Sequence, residues 1–276
     1  MTRINLVLLV LFSPVLSAAD GKLLATPGVS QIEGAAGGGF VPWAQLAGYA
    51  SRDEISGNVF CSRGNLDDYH LNVCGAQIGL YDRVELSLAE QQFHVDALDL
   101  NIEQRVLGAK IRLYGDVVYS DWPQVSAGLQ YKQLDDPLVA DLLGAKEDSG
   151  TDFYIAASKL HLGAAAGYNL FWNLTARNTN ANQTGLLGFG SVNGGDDRQW
   201  HLEASTAVLF SRHFAIGVEY RQKPDNLGLQ EDDWHNLFVA WFPNKYLSVT
   251  GALLDMGEIA GARSQRGTYV SVTGYF

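Results

Sequence analysis

The sequence predicts an all-β fold, a transmembrane antiparallel up-and-down β-barrel of about fourteen strands, with about twelve as the alternative. Three observations predict it. Segments of about ten residues alternate apolar and polar along most of the chain, the length of a tilted strand crossing a bilayer. In the C-terminal half the connections between these segments alternate long and short. Charged residues make up only 18% of the chain, yet no apolar run beyond the N-terminus approaches a membrane helix in length. Soluble domains carry about 25%.

The chain opens with a basic Met1-Thr2-Arg3, an apolar run over residues 4–12 and the small residues Ser17-Ala18-Ala19. That is the pattern of a secretory signal peptide cut after Ala19, and the run is too short to span a membrane. The expected organisation is therefore a signal over 1–19 and a single barrel domain over 20–276. Losing the leader removes one Arg and no acid, taking the formal charge from −11 to −12.

Residues 22–33 form the first candidate strand, interrupted by Pro27-Gly28, and the glycine-rich 34–39 form a flexible connection. The same glycines and Pro27 would also let 21–39 fold into the lumen as a plug, which is the origin of the twelve-strand alternative. Residues 41–50 follow, with Ala44, Leu46, Gly48 and Ala50 on one side. Segments 55–62, 69–80 and 84–93 come next, separated by turn signals. In the middle of the chain Leu107, Ala109, Ile111 and Leu113 oppose Gly108, Lys110, Arg112 and Tyr114. Val125, Ala127, Leu129 and Tyr131 likewise oppose Gln124, Ser126, Gln130 and Lys132. The pattern repeats around Phe153 and Ile155, Tyr168 to Ala176, Trp200 to Phe210 and Phe214 to Tyr220, then over 236–242 and 246–254. In the last strand Thr268, Val270, Val272, Gly274 and Phe276 share one face. Its expected partner at the seam is the strand over 22–33. Aromatics near segment ends, such as Trp200, Phe210, Tyr168, Trp172, Trp43 and Tyr49, suit the girdles at the two membrane interfaces.

Counting back from Phe276, residues 256–266, 224–233, 178–197 and 133–150 are long connections, whereas 243–245, 211–213 and 163–165 are short. Outer-membrane barrels have short periplasmic turns and longer extracellular loops, which places both termini in the periplasm. A secreted β-sandwich also alternates, but it does not explain the aromatic girdles.

Cys61 and Cys74 flank a turn and could meet across a hairpin in an oxidising compartment. The alternation leaves the pairing open: Val59 and Cys61 share a face, whereas the apolar Leu71 and Val73 put Cys74 on the opposite one unless a bulge intervenes.

Four stretches resemble an uncharacterised proteobacterial outer-membrane family, domain of unknown function 3034. They are Gly-Val-Ser-Gln-Ile-Glu-Gly-Ala-Ala-Gly-Gly-Gly at 28–39, Leu-Gly-Ala-Lys-Glu-Asp-Ser-Gly-Thr-Asp at 143–152, Lys-Pro-Asp-Asn-Leu-Gly at 223–228 and Ala-Trp-Phe-Pro-Asn-Lys at 240–245. The resemblance spans essentially the whole mature chain and implies an exported barrel in the outer membrane of a Gram-negative bacterium. It carries no catalytic residues. Phe276 resembles the terminal aromatic signal by which the barrel-assembly machinery recognises its clients.

Facing the apolar set toward lipid leaves Lys110, Arg112, Gln130, Lys132, Arg177, His201, Glu203, Glu219, Arg221 and Lys223 to line the lumen. A charge on the lipid face would cost about 2–4 kcal/mol at the midplane. This lining suits a porin-like channel for small hydrophilic solutes or cations. It equally suits a closed lumen whose charges neutralise one another, Glu219 with Arg221 for instance. Acids crowd the long connections: Asp67, Asp68, Asp135, Asp136, Glu147, Asp148, Asp196, Asp197, Glu231, Asp232 and Asp233. An acidic mouth attracts cations, and adjacent carboxylates could take Ca²⁺ and bridge to lipopolysaccharide. The alternative function is thus a structural or adhesion-type barrel that binds divalent cations, lipopolysaccharide or an outside partner. A lipid hydrolase ranks below both: no Gly-x-Ser-x-Gly occurs, and His201 near Glu203 reads best as a hydrogen-bonded lumen histidine. No Cys/His metal spacing, phosphate loop or basic cluster for nucleic acid is present, so neither an enzyme nor a resident cofactor is expected.

Overall fold

The computed structural model describes residues 22–194 and 198–276; the expected signal peptide and Asp196 and Asp197 lie outside the described residues. Two short strands, β1 (Val29–Ser30) and β2 (Ala36–Gly37), pair with each other. Then come β3 (Ile55–Leu66), β4 (Tyr69–Leu80), β5 (Val84–Val95), β6 (Leu100–Tyr114), β7 (Gln124–Leu134) and β8 (Ser149–Ala165). They are followed by β9 (Tyr168–Thr179), β10 (Gln199–Ser211), β11 (Phe214–Arg221), β12 (Trp234–Asn244), β13 (Leu247–Asp255) and β14 (Arg266–Tyr275). A short helix, α1 (Leu138–Leu142), lies between β7 and β8.

Strands β3 to β14 form one closed barrel of twelve strands, each antiparallel to its neighbours. Burial alternates along them, and the outward set is apolar: Leu107, Ile111, Ile155, Leu174, Leu202, Val218, Leu237, Val270 and Val272 are exposed large hydrophobics. Tyr168, Phe210, Phe214, Trp241 and Tyr246 gather outside near the end that carries the chain terminus, and Trp200 and Tyr131 near the other. Among the described residues no helix is long and apolar enough to cross a membrane.

The count of fourteen is corrected to twelve. Neither 22–33 nor 41–50 joins the wall. Every residue from 27 to 50 is buried, polar ones included, because this segment fills the barrel interior. A wall strand needs one lipid face, and the side chains of this segment meet protein on all sides. Positive φ at Ala25 (68°), Gly28 (73°), Gly34 (94°) and Gly48 (73°) breaks the extended course. Trp43 and Tyr49 accordingly leave the interfacial girdle: Trp43 packs on Phe171 at 4.4 Å between ring centroids and Tyr49 on Tyr275 at 5.2 Å, both inside.

The seam is corrected as well. β14 pairs with β3, in a register that sets Val272 opposite Cys61 and Gly274 opposite Val59. Gly57 N–H donates to the Phe276 carbonyl at 2.8 Å, and Phe276 N–H donates back at 2.9 Å.

Cys61 and Cys74 stand opposite each other in the β3–β4 register, on the outer face, and are joined by a disulfide. No bulge is needed. The apolar Val73, 1% exposed, points inward against the plug's core cluster, so its face was not the lipid face. An interior packed against protein selects apolar residues just as lipid does.

Candidate functional site

The centre of the molecule is the contact between the interior segment and the polar inner wall. Glu33, on the turn between β1 and β2, is wholly buried and faces three cations. It pairs with Lys132, with Arg177 at 3.2 Å and with Arg221 at 2.8 Å. Asp152 also holds Lys132 (2.6 Å) and Arg177 (3.2 Å), and Glu203 holds Arg177 (2.6 Å) and Arg221 (3.3 Å). Three acids therefore balance three bases in one desolvated cluster. Gln130 completes it, accepting from Arg177 at 2.7 Å and donating to the Glu33 carbonyl at 3.1 Å.

Inner-wall side chains replace the strand neighbours that the plug backbone lacks. Glu85 accepts from Ala36 N–H at 3.0 Å and Ala47 N–H at 2.8 Å, and its partner Lys110 donates to the carbonyls of Ala36 and Gln45. Gln77, Gln91, Gln124 and Thr175 donate to the carbonyls of Gly34, Ile32, Ala44 and Pro42. Glu219 accepts from Phe40 N–H (2.9 Å), Ser205 (2.9 Å) and Asn236 (2.7 Å), while Arg221 is taken up by Glu33 and Glu203. Gly38 is needed there, because a Cβ would lie 1.8 Å from a Glu219 carboxylate oxygen. Buried backbone groups left without partners cost free energy, and these side chains satisfy them.

A second segment closes over the first from the loop end. Residues 181–191, in the connection between β9 and β10, are all buried. The Thr184 carbonyl accepts from Lys132 at 2.8 Å, and Gln183 bonds to Glu231, which pairs with Lys223. Gln183 and Thr184 adopt φ of 45° and 61°, a left-handed conformation that a β-branched residue rarely takes. Burial holds the Lys223 ammonium below the ordinary lysine range, with Glu231 opposing.

Of the expected lining residues, Lys110, Gln130, Lys132, Arg177, Glu203, Glu219, Arg221 and Lys223 are all buried inside the barrel. Arg112 sits at the terminal rim, bound to Asp82 and to Asp116 at 3.0 Å. His201 is buried too, but both its ring nitrogens lack a hydrogen-bond partner, which corrects the reading of a hydrogen-bonded histidine. The sequence reading missed Glu33, Glu85 and Asp152. A signal for them existed: six of the ten expected lining residues are cations and only two are acids, an excess that a desolvated interior does not tolerate.

The loop acids largely serve the loops themselves. Asp67 and Asp68 form a two-residue turn, not a long connection, and accept from Arg266 N–H and Gln265. Asp135 binds Arg105 at 2.6 Å, and Asp136 caps Leu138 N–H at 3.0 Å. Asp232 accepts from Glu258 N–H and Asp233 from Tyr220, while Glu147 and Asp148 are exposed. Among the described residues no group of three or more His, Cys, Asp or Glu is arranged to hold a metal ion.

Two cavities flank the polar layer. One of about 510 Å³ opens at the terminal end, walled largely by apolar residues such as Leu24, Trp43, Leu160, Phe171, Phe238 and Phe242. Another, of about 250 Å³, lies at the loop end between the plug and residues 183–187.

The sequence profile of the family described as protein of unknown function (DUF3034) matches residues 26–273, which include plug and barrel alike. The chain belongs to the DUF3034 family. Among curated proteins no sequence matches it. Three solved structures share the barrel of this DUF3034 chain. The KdgM porin aligns with a TM-score of 0.51 at 10% identity, over 79% of this chain and 99% of its own. The NanC porin aligns with 0.50 at 10% identity, over 80% and 99%. The Acinetobacter baumannii outer membrane protein Omp33 aligns with 0.50 at 7% identity, over 82% and 100%. At such identities the likeness is one of fold, that of a porin-like outer-membrane barrel.

Proposed function

We propose that this DUF3034 protein is an outer-membrane channel kept shut by its own N-terminal segment. Its long loops face outward and its termini the periplasm. The observation that carries this reading is the Glu33 cluster, which binds the plug to bases from three separate strands of the wall. The polar inner wall is occupied in holding residues 27–50. Small hydrophilic solutes or cations would meet Lys110, Lys132, Arg177 and Arg221, with Glu85, Asp152, Glu203 and Glu219, only after the plug withdraws. Exposed Glu147 and Asp148 favour cations at the mouth.

A porin-like fold and a lining without a nucleophile motif support transport over catalysis. A second reading has its own support: the extent of the plug's bonding suits a permanently closed structural barrel.

Planar-bilayer recordings on the refolded chain, intact and lacking residues 22–50, separate the two. The intact chain is expected to conduct rarely and the truncated one steadily, with a reversal potential showing cation preference. Steady conductance of the intact chain sinks the shut-channel reading. Silence of both chains supports the structural barrel.

A further inference from the structure

We infer that Lys132, Arg177 and Arg221 form a binding site for one carboxylate of a small hydrophilic solute, and that Glu33 of the plug occupies this site in the solute's place. The inference deepens the shut-channel reading and rests on the withdrawal of the plug in it, since the site opens only then.

Glu33 is the only charged residue between positions 27 and 50. It meets the wall where bases from β7, β9 and β11 converge. Arg221 grips the carboxylate with both terminal nitrogens, Nη1 to Oε2 at 2.8 Å and Nη2 to Oε1 at 3.0 Å. Arg177 Nη2 reaches Oε2 at 3.2 Å, and Lys132 Nζ reaches Oε1. Such a fork fixes both oxygens of a carboxylate, in direction as well as in charge.

The bases do not depend on the plug for their aim. Asp152 holds Lys132 at 2.6 Å and Arg177 at 3.2 Å, and Glu203 holds Arg177 at 2.6 Å and Arg221 at 3.3 Å. Arg177 also lies over the Tyr154 ring and Arg221 over the Trp234 ring, each 5.6 Å from the centroid. A site braced in this way keeps its geometry when its occupant leaves, which lowers the cost of binding another.

Charge names the occupant. On the wall these three bases face two acids, which leaves one positive charge for Glu33 to neutralise. A solute with one carboxylate restores that balance, whereas a cation or an uncharged polyol does not. Anchorage alone does not call for a charge: a buried ionic cluster is often no more stable than apolar packing of the same volume. Elsewhere the wall holds the plug through its backbone, as Glu85 does at Ala36 and Ala47 N–H. The preference for small ions is a separate matter. Lys110, Lys132, Arg177 and Arg221 balance Glu85, Asp152, Glu203 and Glu219, so the mouth acids govern it. A solute that binds only where Glu33 has left shifts the plug toward withdrawal.

The test follows amide exchange of residues 27–50 by mass spectrometry, in the full mature chain in lipid nanodiscs. Gluconate and sorbitol differ by a carboxylate in place of a hydroxymethyl group, and chloride matches the ionic strength. Gluconate is expected to speed plug exchange saturably, by about tenfold, and sorbitol and chloride to leave it unchanged. Glu33→Gln keeps the shape but competes without charge, so gluconate should act at a concentration about tenfold lower. Arg221→Gln should abolish the gluconate effect; if that variant does not give a heat-modifiable folded barrel, Lys132→Gln replaces it. Sorbitol or chloride acting as well as gluconate overturns the carboxylate preference. A gluconate effect that survives the loss of the base overturns the residues named. Plug amides that exchange in Glu33→Gln at a rate gluconate does not change overturn the site, even if the channel conducts. Plug amides protected in every variant and every solute overturn the site and the shut-channel reading together. Silent bilayers with the gluconate effect intact sink the channel reading and support the site.

Discussion

Arg221 donates to Glu33 across 188 positions of sequence, at 2.8 Å, inside a barrel where neither side chain meets solvent. An ion pair so deeply desolvated is tolerated only when every charge has partners, and Lys132, Arg177, Asp152 and Glu203 supply them. The same condition makes the pair vulnerable from one side.

Glu33→Ala leaves three bases facing one another with one acid fewer. Removal of one partner from a buried ionic cluster costs about 3–5 kcal/mol. Urea unfolding of the barrel in lipid vesicles should show a loss of that order, with Glu33→Gln losing less because it retains hydrogen bonding. A loss below about 1 kcal/mol would mean that water already reaches the cluster.

Gly38→Ala tests how closely the plug is fitted. The new Cβ would start 1.8 Å from Glu219, so the carboxylate or the plug must shift, for about 1–3 kcal/mol. Gly251→Ala, whose Cβ meets nothing nearer than 3.9 Å, is the matched control and should be close to neutral in the same unfolding assay.

Thr184 holds φ of 61° in the inward loop. Strain of this kind costs of order 1–3 kcal/mol, and glycine relieves it at the expense of a more flexible unfolded chain. Thr184→Gly should therefore raise the unfolding free energy by about 1 kcal/mol, whereas Thr184→Val should not.

Asp116 gives a pH dependence at the terminal end. Burial alone would raise its carboxyl, but N–H bonds from Tyr119 and Val118 and the Arg112 guanidinium outweigh it and hold it below the usual carboxylate range. A depressed acid contributes stability above its unfolded value, about 3.9, and the contribution is lost as pH falls through the lower folded value. Amide exchange at Val118 and Tyr119 should thus stay slow at neutral pH and, after correction for intrinsic rates, speed up in strong acid. Asp116→Asn should show the faster exchange at neutral pH already.

The wall of this barrel was legible because lipid imposes a simple rule on each strand. Leu107, Ile111 and Leu113 alternate with Lys110 and Arg112 whatever lies inside. The plug was not legible by that rule. Ala44, Leu46, Gly48 and Ala50 alternate as a strand would, yet each packs into a protein interior that accepts small and apolar residues on every side. The cysteine face was misread for the same cause, since Val73 is apolar toward the plug and not toward lipid. The charged cluster was half visible: its bases stand in clear strands, whereas Glu33 ends the candidate strand over 22–33 that Pro27-Gly28 interrupts.

The order of assembly follows from where the plug joins the wall. Residues 22–54 run directly into β3, and β3 meets β14 only when the last strand arrives. Were the cylinder completed first, Glu33 would have to travel past Leu160, Phe171 and Phe238 of the terminal-end cavity to reach its bases. Moving a bare carboxylate along such a wall is slow. Wrapping strands around a segment already seated avoids that passage. The seam thereby becomes the step that commits the molecule: in barrels halted before β3 meets β14, the amides of residues 27–50 should exchange with solvent faster than in the closed barrel.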